Sequence, residues 1–249
     1  SAVGADTQIE FVLAKVDPNG NPTNGINRVN LCQASWSTAD INSIVKPTTI
    51  WDPTLYMNMW SVTFTNATLL GYAQFPSTSG LGGLNANGGS ANTDGVVAGF
   101  SFFGSSALST GNFQVPYDRG RTMTHEVGHF LGLLHTFQGG CGTGNTNFSG
   151  DYCSDTPSVG TQNYGCVANT DSCPAVPGND MIENYMDYTD DLCMNIFTQV
   201  QRDRIAAVMT NSPRRASLRT STRDLPISLF ANDAEVKIEN SCNNATPTC

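Results

Sequence analysis

The chain has 249 residues, a formal net charge of −9 and only 13% charged residues. This length supports a sizeable core in one domain, or in two lobes about a cleft. The acidic balance argues against nucleic acid and anionic membrane surfaces as partners, and without any run of 18 apolar residues we expect no membrane insertion.

The first half of the chain is predicted to form strands separated by turns. Runs rich in β-branched and aromatic residues predict strands at 9–14, 56–62, 69–75 and 95–103. The stretch 76–93 is rich in Gly, Ser and Asn and is predicted to be an exposed loop. A free edge of such a sheet can bind an extended substrate by strand addition, but spacing does not show which strand forms that edge.

A helix is predicted over 121–134, because Met123, Val127, Leu131 and Leu134 repeat at helical spacing and give it a buried face.

The second half of the chain is predicted to be largely irregular. The stretch 137–183 has little periodicity, and such segments are usually functional or are pinned by covalent or metal links. A last helix is predicted over 199–209, with Thr198 as its N-cap, Gln201 completing a capping box and Pro213 ending it.

All three histidines of the chain lie in one motif, H-E-x-x-H-x-x-G-x-x-H. Residues four apart share a helix face, so His125 and His129 can direct two imidazoles at one metal ion. Gly132 can adopt backbone angles closed to other residues, which lets the chain turn and bring His135 round as a third ligand. Three imidazoles on zinc leave a fourth position for water, which is the arrangement of a catalytic site. Glu126 then faces that water as a general base.

The extended motif resembles that of the metzincin metallopeptidases. Metzincins carry a methionine in a tight turn beneath the metal, and Met186, flanked by two tyrosines, matches it, although alone it would be read as ordinary core. The sequences at 135–140, 150–157 and 190–194 resemble the pappalysin family, and especially its smaller microbial, ulilysin-like members. The resemblance runs from about residue 7 to about residue 209.

This resemblance implies a metzincin α/β (α+β) fold with two lobes about an active-site cleft. A mixed twisted sheet and the active-site helix form the upper lobe, and an irregular, disulfide-pinned lobe with a C-terminal helix lies below. We expect a single catalytic domain over 1–225, divided into lobes at 1–136 and 137–225, and a tail or linker over 226–249. The resemblance favours 70–75 as the sheet edge that binds substrate.

The function implied is that of a secreted zinc-dependent endopeptidase acting on proteins or peptides. The alternative is a catalytically silent, zinc-bearing binding or adhesion module, against which the intact Glu126 argues. Asp191 matches the acid at the base of the pocket beyond the scissile bond, which implies a preference for Arg, then Lys, just after that bond. The alternative for Asp191 is a solvated loop acid. Tyr188 is placed to hydrogen-bond the developing oxyanion, to pack under the metal, or to do both.

The resemblance also implies a calcium site in the segment that contains Asp151, Asp155 and Thr156. Carboxylate oxygens at short spacing suit a hard cation, although aspartates in such loops most often cap turns.

Eight cysteines without a C-x-x-C pair indicate disulfides and an oxidising compartment. Zinc thiolates are disfavoured by the scattered spacing. The resemblance implies the pairs Cys141–Cys173 and Cys166–Cys193. Cys242 and Cys249 could close a local loop, and Cys32–Cys153 remains by elimination.

Overall fold

The computed structural model describes residues 4–142 and 145–227. Its helices and strands are short, and long irregular stretches separate them. In chain order they are α1 (Thr38–Asp40), a π-helical segment (Ile41–Val45), α2 (Lys46–Thr49), β1 (Met59–Val62), β2 (Gly71–Ala73), a 3₁₀ turn (Ala91–Thr93), β3 (Val96–Gly99), a second 3₁₀ turn (Phe100–Phe102), α3 (Arg121–Phe130), α4 (Gln199–Asn211) and α5 (Pro213–Leu218). None of the helices in these two ranges is long and apolar enough to cross a bilayer.

The three strands form one mixed sheet in the order β1–β3–β2. β1 runs parallel to β3, and β2 runs antiparallel to it. Neighbouring residues of a strand point to opposite faces. Val96 therefore joins the core cluster that contains Phe130 and Leu131 of the α3 region. Val97 joins a second cluster with Ile41 and Val45 of the first helical segment. The sheet is thus covered on both faces, and β2 lies at its edge.

Three of the four predicted strands are present, each shorter than predicted. The strand predicted at 9–14 is wrong, because this segment makes no ladder with any strand that the structure describes. Ile9 packs against the α3 side of the core, while Phe11, Val12 and Leu13 are more than half exposed. An apolar run predicts a strand only if a neighbouring backbone is available to pair with it.

Helix α3 ends at Phe130, four residues before the predicted end. Gly132 has φ +90°, its amide donates to the His129 carbonyl, and the Leu133 amide donates to the Gly128 carbonyl. These two bonds and the left-handed glycine form a Schellman turn, which satisfies carbonyls that the helix leaves unpaired.

Helix α4 begins with the predicted capping box. The Thr198 hydroxyl accepts from the Gln201 amide, and the Gln201 side chain accepts from the Thr198 amide. The helix ends at Asn211, and Pro213 then starts α5, because proline is well tolerated in the first turn of a helix.

Two of the predicted disulfides, Cys141–Cys173 and Cys166–Cys193, are confirmed. The predicted Cys32–Cys153 bond is wrong, since Cys153 is a buried free thiol and Cys32 is disulfide-bonded. Cys153 needs no partner, because it is buried and packs as a small apolar side chain. The predicted Cys242–Cys249 bond lies outside the described residues, as does the tail beyond residue 227.

A buried ion pair fastens α5 to the rest of the core. Asp94, just before β3, accepts from Arg214 and from two nitrogens of Arg215. The Arg215 Nε also donates to the Phe130 carbonyl at 2.9 Å, and its guanidinium lies 3.3 Å from the centroid of the Phe130 ring. Arg215 therefore joins three elements: α5, the start of β3 and the end of α3.

We expect Arg215→Met to destabilise the protein by about 3–5 kcal/mol, because it leaves the buried Asp94 carboxylate poorly compensated. Arg214→Met is the matched control, since Arg214 binds the same carboxylate but is more exposed, and it should cost clearly less. Denaturant unfolding midpoints of both variants measure the difference. Equal losses would contradict the assignment of Arg215 as the main anchor.

Candidate metal centre

Helix α3 carries two of the three candidate metal ligands, and its first turn is fixed from a distant part of the chain. Gly120, the N-cap, has φ 79° and no side chain with which to cap. The Asp191 carboxylate supplies the missing acceptor: its Oδ2 accepts from the Arg119 amide at 2.7 Å and the Arg121 amide at 3.1 Å. A carboxylate at this end of a helix is also favoured by the helix dipole.

The three histidines predicted as metal ligands converge. The Nε2 atom of His135 lies 3.2 Å from that of His125 and 3.0 Å from that of His129. A tetrahedral zinc ion with Zn–N bonds of about 2.0–2.1 Å separates its ligand nitrogens by about 3.3 Å. The nitrogens therefore lie close to the spacing that one zinc ion requires, and within the described residues this is the one cluster of three such side chains.

Two backbone carbonyls fix the orientation of the first two rings. His125 Nδ1 lies 2.7 Å from the Tyr185 carbonyl, and His129 Nδ1 lies 2.8 Å from the Leu133 carbonyl. Each Nδ1 donates to its carbonyl, so Nε2 carries the free lone pair that a metal needs. His135 is held differently, with its ring stacked on Phe137 at 4.6 Å.

Burial keeps these imidazoles neutral. It holds the pKa of His125 well below its ordinary value, with a further contribution from the other two histidines. It lowers the pKa of His129 to about 4, and, together with the nearby His129, that of His135 to about 3. A neutral imidazole is the form that binds metals, so the site is prepared for a cation at ordinary pH.

Glu126 lies beside the histidines and is 6% exposed. Burial raises the pKa of its carboxyl to about 8, and a divalent cation on the three imidazoles would oppose this by favouring the carboxylate. Gly71 of β2 makes room for this side chain, since a Cβ there would lie 2.8 Å from both Cγ and Oε1 of Glu126. The edge strand thus approaches the candidate base at a position where only glycine fits.

Met186 is fully buried beneath α3, where a Cβ added to Gly128 would overlap its sulfur. Its turn is tied to α4, because Asn184 Oδ1 accepts from the Met186 amide and from Gln201 Nε2. Asn184 Nδ2 in turn donates to Gln201 Oε1 at 2.9 Å. The capping residue of α4 therefore also anchors the predicted Met-turn.

Tyr188 lies against the histidines and is half-buried. Its ring centroid is 5.0 Å from that of His135 and 5.6 Å from that of His125. Burial raises the pKa of its hydroxyl, and the nearby Glu126 adds to this effect. Tyr188 remains a neutral donor at ordinary pH.

The residues predicted to bind calcium make hydrogen bonds within the chain. Asp151 Oδ2 accepts from the Thr156 hydroxyl at 2.6 Å, and Oδ1 accepts from the Cys153 amide at 2.9 Å. Asp155 accepts from the Thr198 hydroxyl and the Val200 amide at the start of α4. Asp155 thus caps that helix.

Three contributors to this site were not predicted from the sequence. Gly71 and Asn184 carry no signal on their own, because their roles depend on which elements pack together. Arg204 is one of several polar residues of α4, and nothing in the sequence distinguishes it from the others. Its Nε donates to the Gly132 carbonyl at 2.7 Å. Gln201 was found, but only as a capping residue.

Comparison with known proteins agrees with this geometry. Residues 40–210 match peptidase family M43, described as pregnancy-associated plasma protein-A. The chain belongs to this family. The resemblance to pappalysins, drawn from the zinc motif and its neighbours, is confirmed.

Several curated relatives of this M43 chain are fungal. It is 44% identical over 139 residues to extracellular metalloprotease 1 of Coccidioides posadasii, covering 56% of this chain and 44% of the relative. It is 33% identical over 204 residues to an extracellular metalloprotease of Pyricularia oryzae, covering 82% of this chain and 62% of the relative. The chain thus spans less than two thirds of the length of these relatives.

The solved structure of mature mirolysin from Tannerella forsythia, in complex with a cleaved peptide, superposes with a TM-score of 0.72 at 37% identity. The match covers 88% of this chain and 77% of mirolysin. The metzincin fold expected for this M43 chain is confirmed.

Gly128→Ala tests the packing between α3 and Met186. Alanine improves helix propensity by about 1 kcal/mol, but we expect a net loss of about 1–2 kcal/mol because the new methyl overpacks against the sulfur. Thermal unfolding measures the change, and the double variant with Met186→Ala should recover part of it. A Gly128→Ala protein more stable than wild type would rule out this contact.

Proposed function

We propose that this chain is a secreted zinc endopeptidase that hydrolyses peptide bonds in proteins. The observation that carries the proposal is the convergence of three neutral histidine nitrogens beside the buried Glu126. Membership of family M43 and the names of the relatives, extracellular metalloproteases, support the activity and the secretion. The two disulfides are consistent with an oxidising compartment.

His125, His129 and His135 would hold the zinc ion. When bound, zinc lowers the pKa of a water molecule and polarises the scissile carbonyl. Glu126 accepts the proton of the attacking water and delivers it to the leaving amine. The Tyr188 hydroxyl donates a hydrogen bond to the oxyanion that develops at the carbonyl, and Met186 packs under the site as the Met-turn.

The substrate is proposed to bind along β2. One side of this strand pairs with β3, and β2 ends the sheet, so the backbone groups on its other side can pair with an extended peptide. Gly71 brings that edge next to Glu126. Mirolysin, a structural neighbour, is described in complex with a cleaved peptide.

We further propose that Asp191 selects Arg, and less readily Lys, just after the scissile bond. The side chain is 2% exposed, and both of its backbone bonds go to Oδ2. Burial raises the pKa of this carboxyl, while the two amides and the Arg121 charge oppose the shift. A buried carboxylate with one oxygen left for a guanidinium suits a basic side chain.

Calcium near Asp151, Asp155 and Thr156 stays a prediction. All three of these side chains already accept hydrogen bonds from the chain, and Asp155 caps α4. A calcium ion there requires further oxygen ligands, such as backbone carbonyls.

Glu126→Ala is expected to keep zinc and to lower peptidase activity by about 10²–10⁴-fold, because it removes the proton acceptor but no metal ligand. Metal content and cleavage of a casein substrate, with and without a chelator, measure both properties. Glu10→Ala, at an exposed glutamate, is the control and should behave as wild type. Near-normal activity of Glu126→Ala would refute its role, and so would loss of zinc.

Asp191→Asn tests the basic preference. We expect kcat/KM for peptides with Arg after the scissile bond to fall by about 10–100-fold relative to those with Leu, the range for one charge-assisted hydrogen bond. A cleavage profile on a mixed peptide library, read by mass spectrometry, gives this ratio, with Asp190→Asn as the neighbouring control. An equal fall for all peptides would show that Asp191 acts only through the first turn of α3.

A further inference from the structure

Arg204 of α4 is a buried arginine, only 6% exposed. The salt bridges of the described residues involve Arg202, Arg214 and Arg215, and none includes Arg204. The Asp151 carboxyl attracts this guanidinium without reaching salt-bridge distance, and removing a charge from water is costly unless it is also hydrogen-bonded. A buried guanidinium of this kind therefore needs other groups to stabilise it.

Two backbone carbonyls meet this need. Arg204 Nε donates to the Gly132 carbonyl and Nη2 donates to the Gly82 carbonyl, both at 2.7 Å. The guanidinium also lies 5.4 Å from the centroid of the Tyr152 ring, within cation–π range. The Gly132 carbonyl follows the last turn of α3, where the negative end of the helix dipole favours a cation.

Gly132 is the residue at which the chain leaves α3 and turns towards His135. Its φ of +90° suits glycine, and a Cβ there would lie 2.7 Å from Val208 Cγ2. Arg204 and Val208 are four residues apart, so they share one face of α4. That face therefore holds the turn by one charge-assisted hydrogen bond and one close packing contact.

The second carbonyl connects the same guanidinium to the loop before β3. A Cβ at Gly82 would overlap the Tyr152 ring, so this loop segment packs directly on the side chain that faces Arg204. Arg204 thus joins the turn after α3, the loop at Gly82 and the irregular segment that carries Tyr152.

We propose that Arg204 is a positioning residue for the metal centre. Through the Gly132 carbonyl it holds the turn in the conformation that places His135 within 3.0–3.2 Å of the other two ligand nitrogens. Its planar fork reaches two carbonyls in different directions, which the single ammonium of lysine cannot reproduce. The inference rests on the proposed zinc site, so zinc binding by the wild-type protein is measured first.

The experiment compares zinc dissociation constants, by chelator competition, for wild type, Arg204→Lys, Arg202→Lys and Ile41→Ala. Arg202 is on the same helix and partly exposed, so it controls for the Arg-to-Lys substitution itself. Ile41 is fully buried in the cluster on the other face of the sheet, so it controls for loss of stability. We expect Arg204→Lys to bind zinc at least about 10-fold more weakly, as for other residues that orient metal ligands. Ile41→Ala should bind zinc as wild type does, even with a similar fall in unfolding temperature.

If Arg204→Lys binds zinc as tightly as wild type, or no more weakly than Ile41→Ala, the inference is overturned. If wild type itself does not bind zinc, the proposed function fails instead.

A measurement on the wild-type protein covers the case in which Arg204→Lys does not fold. Coupling is reciprocal, so removing zinc should speed the solvent exchange of the Arg204 Nε proton, followed by NMR, and leave that of Arg202 unchanged. An Arg204 exchange rate that does not respond to zinc would contradict the proposal.

Discussion

The structure depends on bringing three imidazoles to one point although a helix can present only two of them there, because His135 would lie about 9 Å beyond His129 along a continued helix. Two turns of α3 present His125 and His129, and the third ligand requires the chain to reverse immediately after the helix ends. The left-handed Gly132 makes this reversal possible, and the amides of Gly132 and Leu133 close the helix at the same time. The carbonyls of Tyr185 and Leu133 then orient the first two rings. The turn that ends α3 is therefore also the turn that positions the third candidate ligand.

The region below α3 is ordered with little regular secondary structure. Two disulfides pin it, and buried side chains replace the periodic hydrogen bonds that a helix or sheet would supply. The pair formed by Asn184 and Gln201 is the clearest case, because it links the turn around Met186 to the first turn of α4. The same turn supplies the Tyr185 carbonyl to His125. This irregular segment can support the candidate metal site rigidly, because its polar groups are satisfied by hydrogen bonds within the chain.

Charged groups from distant parts of the chain hold both ends of α3. Asp191 accepts from amides at its start, while Arg215 donates to the Phe130 carbonyl and Arg204 to the Gly132 carbonyl just beyond its end. Each sign matches the helix dipole at that end. The two arginines come from α4 and α5, so these two helices stabilise α3 directly. At Asp191 this structural contact coexists with the proposed selection of a basic side chain.

Local spacing in the sequence was enough to predict the three histidines as candidate ligands, Glu126 as the candidate base, the helix that carries them and the Thr198 capping box. Helical periodicity and the spacing of the three histidines are properties of one segment, whatever that segment packs against. Tertiary contacts were needed to show that residues 9–14 form no strand, that Cys153 is free, and that Asp155 caps α4. Segments that are distant along the chain decide which strands pair, which cysteines meet and which donors reach a carboxylate. Spacing within one segment carries no information about those contacts.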